Sequence, residues 1–135
     1  MDAKQYQEAA ARTECDQVAA MERMHSLMPI RLNHAVIGAM GELGELASII
    51  EKWLYYGQLL DLVGLEEELG DALWYIALAC NAVGADMGKI MEANLAKLVA
   101  RYPEKYSDEL AKEENRNRPV ELQKMPRSSL EAWLG

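Results

Sequence analysis

The sequence predicts an all-α protein, and three observations carry that prediction. Apolar residues recur every three or four positions, as in Leu32, Val36, Ala39, Leu43, Ala47, Ile50 and Leu54, which is the period of one helix face. No alternating apolar and polar run is long enough to propose a strand. Glycine and proline then cut the chain into four helical segments and a polar tail. At 135 residues there is room for one domain, since domains run to roughly 100–200 residues.

Asp2 followed by Gln5 resembles an N-terminal cap, and the Ala-rich stretch after it favours a first helix to about Met28, with a break near Thr13. Pro29 marks a boundary. A second helix is expected from about Arg31 to Tyr56, with Gly57 as its cap. The third, from Asp61 or Leu62 to Val83, contains Ala72-Leu73-Trp74-Tyr75-Ile76-Ala77-Leu78-Ala79-Cys80 and is apolar on nearly every face. A helix of that kind is buried all round, and three short neighbours can hardly enclose it, so a partner subunit is expected to supply the cover. Gly84 ends it, Asp86 caps a fourth helix, and Ile90, Met91, Leu95, Leu98 and Val99 line one side of that helix as far as Arg101. From Tyr102 the pattern fails. Pro103, Pro119 and Pro126 divide a polar tail in which only Ser128-Ser129-Leu130-Glu131 looks like a capping box, opening a last short turn with Trp133. The chain thus divides into a helical domain, 1–103, and a tail, 104–135.

Composition narrows the function. Fourteen basic against 22 acidic side chains leave a net charge of -8, which offers no electrostatic footprint for nucleic acid or an anionic membrane. The longest apolar run, Ala72 to Cys80, falls well short of the ~18 residues of a bilayer span. No basic apolar leader opens the sequence, and Cys15 and Cys80 stand alone without Cys-x-x-Cys spacing, so a reducing, cytoplasmic setting is expected. With His25 and His34 the only histidines, a zinc site of the usual Cys/His kind is excluded, as is a di-iron site, which needs Glu-x-x-His.

The informative acids lie in two pairs. Residues three apart on a helix stand ~60° apart around the axis and ~4.5 Å along it, and this spacing joins Glu42 to Glu45 and Glu68 to Asp71. Glu42 falls at the margin of the second helix's apolar stripe. Glu68 and Asp71 share a face with Tyr75, Leu78, Ala79 and Ala82. One antiparallel register that sets Glu42 opposite Asp71 also sets Glu45 opposite Glu68, with its midpoint between Tyr56 and Gly57. To keep that register, either the segment after Gly57 climbs back almost helically or the helices cross obliquely.

Ionised carboxylates facing apolar neighbours need a compensating charge. Either basic groups such as Lys52 neutralise them as structural salt bridges, or a divalent cation does. Oxygen-only ligands favour a hard ion, Mg²⁺ or Mn²⁺, over Zn²⁺. Gly38, Gly41 and Gly44 sit inside the second helix although each costs roughly 0.5–1 kcal/mol against Ala. Close packing by a neighbouring helix and room for a ligand both explain them. Asn94, Lys97 and Arg101 share one face of the fourth helix, a pattern that suits a phosphate group. Trp53, Trp74, Tyr55, Tyr56 and Tyr75 can each stack on a base or fill the core.

Glu42-Leu43-Gly44-Glu45, 22 residues, then Glu68-Leu69-Gly70-Asp71 with Ala72-Leu73-Trp74-Tyr75 behind it resembles the signature of the MazG-like all-α nucleoside triphosphate pyrophosphohydrolases. Tyr6-Gln7-Glu8-Ala9-Ala10 before Arg12-Thr13, and Asn94-Leu95-Ala96-Lys97-Leu98 leading to Arg101-Tyr102-Pro103, resemble further segments of that family, so the likeness covers about residues 4–103. The resemblance implies a four-helix bundle-like fold, assembled as a homodimer or homotetramer. It implies cleavage of a nucleoside triphosphate between the α and β phosphates, with Mg²⁺, or Mn²⁺ in its place, held by Glu42, Glu45, Glu68 and Asp71. Glu42, or Glu45 beside it, would take the proton of the attacking water. Asn94 and Lys97 correspond to ligand-contacting positions, and Lys52, Trp74, Tyr75 and Arg101 complete the expected substrate set. Phosphoribosyl-ATP pyrophosphohydrolase has related chemistry, and a non-catalytic helical module with salt-bridged acids is the reading from another class. Some relatives carry a third acid directly before the second position of the first motif, where this chain has Gly44.

Overall fold

A computed structural model of the chain describes residues 2–124, and every regular element in them is helical. The capping box and terminal turn expected at 128–133 lie outside the described residues. In order the elements are α1 (Ala3–Ala11), α2 (Gln17–Arg23), α3 (Leu27–Tyr56), α4 (Leu62–Ala82), α5 (Met87–Arg101), α6 (Asp108–Ala111), a 3-10 turn (Glu113–Asn115) and α7 (Arg118–Gln123). None of these helices is long and apolar enough to cross a membrane. The chain divides into two units, Met1–Ala82 and Val83–Gly135.

In the first unit the Asp2 and Gln5 capping box opens α1 as expected, and the break near Thr13 separates α1 from α2. Asp16 caps α2 by accepting from the Ala19 N–H at 3.0 Å. Pro29 does not bound a helix. It sits in the first turn of α3, which begins at Leu27, because N–H groups of a first turn have no intrahelical partner and proline loses nothing there.

The α3–α4 hairpin forms the body of this unit. Gly57 ends α3 in the left-handed region, φ 65°, a conformation that glycine alone adopts without strain. The N–H groups of Gly57 and Gln58 both donate to the Lys52 carbonyl, turning the chain back. Asp61 then opens α4, its carboxylate accepting from the Gly64 N–H at 2.9 Å. Higher up the hairpin the Tyr75 ring lies on Gly38, where a Cβ would collide with it. Gly38 and Tyr75 are equidistant from the turn, so this contact agrees with the antiparallel register that sets Glu42 opposite Asp71. His34 meets Tyr75 edge to face at 5.6 Å, and Trp74 does so at 4.9 Å.

Within this chain α4 is not enclosed. Ala72, Cys80 and Ala82 are buried, but Leu73 and Trp74 remain 56% and 55% exposed, and Ile37 and Met40 on α3 are more exposed still. The buried positions are small residues, which let two helix backbones approach, while bulkier side chains such as Leu46, Ile50 and Leu78 are only half-buried. Among the described residues no large side chain is fully buried.

The second unit carries short helical pieces beyond Tyr102, where the sequence shows no helical period. Asp86 caps α5, accepting from the Lys89 N–H at 3.1 Å, as foreseen. Beyond Tyr102, however, Ser107 caps α6 and Asn117 caps α7, with Pro119 tolerated in the first turn of α7. These pieces are too short to show an apolar period, and an ion-pair network holds them. Arg116 forks onto Glu121, with Nη2 to Oε2 at 2.7 Å and Nε to Oε1 at 3.3 Å. Its Nη1 reaches Glu113 Oε2 at 2.7 Å.

Candidate metal centre

Three of the four motif acids converge. One carboxylate oxygen from each of Glu42, Glu68 and Asp71 lies within 4.8 Å of the other two. α3 supplies Glu42 and α4 supplies the other two, one turn apart on one face. The register fixed by Tyr75 on Gly38 brings the two sources level. Glu42 and Glu68 are half-buried and Asp71 is exposed, so the cluster has a closed side and an open one. Glu45 is exposed and its oxygens stand outside the group of three, although its negative charge is felt by Glu68.

The crowding is visible in Glu68. Burial first, then a hydrogen bond with Glu42, then the charges of Glu45, Glu42 and Glu67 push its carboxyl up from 4.5 to about 7. A hydrogen bond between two carboxyl groups requires a proton, so the contact with Glu42 favours the protonated form of Glu68. Among the described residues the salt bridges fall at Glu109, Glu113 and Glu121, and none reaches the motif acids. The cluster therefore carries negative charge that the basic side chains around it do not neutralise. A set of three converging oxygen donors of this sort fits a hard divalent cation and does not fit a soft one.

The glycines of α3 divide between the two explanations. Gly38 is packed against Tyr75, whereas a Cβ at Gly41 or Gly44, flanking Glu42, would meet nothing within 4 Å. Open space thus borders the acids on the helix that carries the first pair.

The remaining expected positions are not among these three acids. Tyr75 is half-buried and occupied with Gly38 and His34. Trp74, one turn beyond Asp71, keeps more than half of its surface exposed. Lys52 is exposed near the end of α3. In the second unit, Asn94 is exposed and Lys97 half-buried on α5. Arg101 spends its guanidinium on backbone carbonyls, Nη2 on Ala111 O at 2.7 Å and Nε on Leu110 O at 3.4 Å. Those acceptors were invisible in the sequence because nothing there announces α6.

A family model, the MazG nucleotide pyrophosphohydrolase domain, matches residues 33–106. The matched stretch runs from the first turns of α3 through both acid pairs and the whole of α5. The chain belongs to the MazG family. Among curated proteins it is similar to the Gene 37 protein of Mycobacterium phage L5, with 31% identity over 74 residues, 52% of this chain and 65% of that protein. The chain therefore spans somewhat under two thirds of the length of this relative. No solved structure matches the chain.

Proposed function

We propose that this chain is a Mg²⁺-dependent nucleoside triphosphate pyrophosphohydrolase that converts a ribo- or deoxyribonucleoside triphosphate to the monophosphate and pyrophosphate. The observation that carries the reading is the convergence of Glu42, Glu68 and Asp71 oxygens within 4.8 Å on a helix pair that belongs to the MazG family. Those three residues, with Glu45 at the rim, would hold the cation. When bound, Mg²⁺ or Mn²⁺ supplies the positive charge that lets an acidic site accept a polyphosphate and orients water beside it. Had the acids been a structural salt-bridge cluster, a Lys or Arg would be paired with them, and among the described residues none is.

In the reaction, water oxygen adds to the α-phosphorus and the bond from that phosphorus to the α,β-bridging oxygen breaks. The bonding pair leaves with pyrophosphate. Glu42, whose carboxylate lies with those of Glu68 and Asp71, is the proposed acceptor of the water proton, and Glu45, on the same helix and exposed, is its alternative. Lys52, Asn94 and Lys97 are proposed substrate contacts. For the base, Trp74 offers an exposed indole, while the Tyr75 ring is spent on Gly38. The exposed apolar residues of α3 and α4 support a homodimer or homotetramer, and the acidic composition with two lone cysteines supports a cytoplasmic setting.

The test is product analysis in ¹⁸O-water over a panel of nucleoside triphosphates and phosphoribosyl-ATP, with and without Mg²⁺. The expected outcome is labelled monophosphate, unlabelled intact pyrophosphate and no diphosphate, only with metal present. Labelled orthophosphate with accumulating diphosphate would place the attack on the γ-phosphorus and end this reading.

A further inference from the structure

The segment after α5 has three helical pieces of four, three and six residues. None is long enough to be stable as an isolated helix. None brings a buried apolar side chain either, since the single buried residue of these elements is Glu121, 2% exposed. A cavity of about 150 Å³ lined by Arg101, Pro103, Leu110, Asn117, Val120 and Glu121 shows that apolar packing does not close the segment down. Guanidinium groups do. Arg116 bridges Glu113 and Glu121. Arg101, in the last turn of α5, reaches the carbonyls of Leu110 and Ala111, which end α6 and have no partner within a four-residue helix.

We propose that residues 102–124 form a strap locked to the last turn of α5, that Arg101 is its clamp, and that the same bonds withdraw Arg101 from phosphate recognition. Arginine grips a phosphate or carboxylate through two parallel N–H groups on one edge of the guanidinium plane. The Nε–Nη2 edge of Arg101 already holds two carbonyls. Its Cζ lies over the Tyr102 ring, 5.2 Å from the centroid. Lysine, a single point charge, can draw a phosphate but cannot span two carbonyls. Charge and fork geometry can therefore be separated by substitution. The strap stands on this geometry alone, whereas the withdrawal from phosphate rests on the triphosphate reading above.

Amide hydrogen exchange on the full chain, comparing wild type with Arg101→Lys and Arg101→Gln, tests the strap. Both variants should speed exchange across 108–123 by about tenfold or more while the α3–α4 amides keep their protection, which shows the chain is still folded. Calorimetric titration with inorganic pyrophosphate and Mg²⁺ tests the second half, and both variants should bind within about threefold of wild type. Wild-type protection in Arg101→Lys would overturn the clamp. Pyrophosphate binding weakened by Arg101→Gln and restored by Arg101→Lys would overturn the withdrawal. A wild type that binds no pyrophosphate would count against the triphosphate reading, and the exchange comparison would still decide the strap.

Discussion

Glu68 is the residue on which the metal reading can be tested most directly. Its carboxyl ionises at 4.5 in an ordinary setting and at about 7 in the fold. Across that window the folded chain holds a proton that the unfolded chain has released, so the stability of the metal-free protein should fall as pH rises through it. Glu68→Gln keeps the shape and removes the titration, so the difference between wild type and variant should favour the variant increasingly up to about pH 7 and then level off. Denaturant melts in chelator across this range would show it, and parallel profiles would contradict it. Glu121 behaves oppositely: Arg116 holds it below its usual range, so its contribution is lost only as pH falls, outside the window of Glu68. With Mg²⁺ present the wild-type melting midpoint should rise while that of Glu68→Gln or Asp71→Asn stays put. Turnover in both should drop by more than the ~100-fold that losing even an outer partner costs a metal site. A variant that still gains stability from Mg²⁺ and still turns over substrate would remove these residues from the centre. The two acid pairs were legible in the sequence because helical spacing alone brings their members together. That Glu45 stands outside the group of three was not legible, since it depends on how the carboxylates of two facing helices turn toward one another.

Long elements that join capped ends to an apolar period were legible, and short ones held by distant charges were not, although Ser107 and Asn117 cap them too. α4 and α5 begin where Asp61 and Asp86 cap them, and α3 ends at a left-handed Gly57. Pro29 misled because proline stops a helix in its interior and not in its first turn. α6 and α7 escaped because Arg101 and Arg116 reach partners five to ten residues away through irregular chain, a separation with no periodic signal. The hairpin register makes its own prediction. Gly38→Ala should destabilise by about 1–3 kcal/mol, the usual range for overpacking a closed site, because the new methyl meets the Tyr75 ring. Gly44→Ala, with nothing within 4 Å in this chain, should instead stabilise the isolated hairpin by roughly 0.5–1 kcal/mol. Equal effects at the two positions in equilibrium melts would mean that Tyr75 does not set the register.

The two faces of the hairpin lead to a prediction about assembly. One chain buries mainly small residues between α3 and α4 and leaves Ile37, Met40, Leu43, Leu69, Leu73 and Trp74 between 46% and 68% exposed. Single exposed apolar side chains are ordinary, but a run of them on a helix pair exceeds what a monomer presents without a partner. Covering such a face recovers about 25 cal/mol for each Å² of apolar surface removed from water. A specific interface requires on the order of 1,000 Å² in total. Against this stands the net charge of -8 on each copy, so association should strengthen as salt screens the repulsion over a Debye length of ~10 Å at 0.1 M. Folding and assembly would then be linked, and the melting midpoint should rise with protein concentration. Leu73→Lys, which places a charge in the middle of the face without touching an acid of the cluster, should shift sedimentation toward monomer and lower that midpoint. A folded wild-type monomer at micromolar concentration, with a midpoint independent of concentration, would show that the face needs no cover.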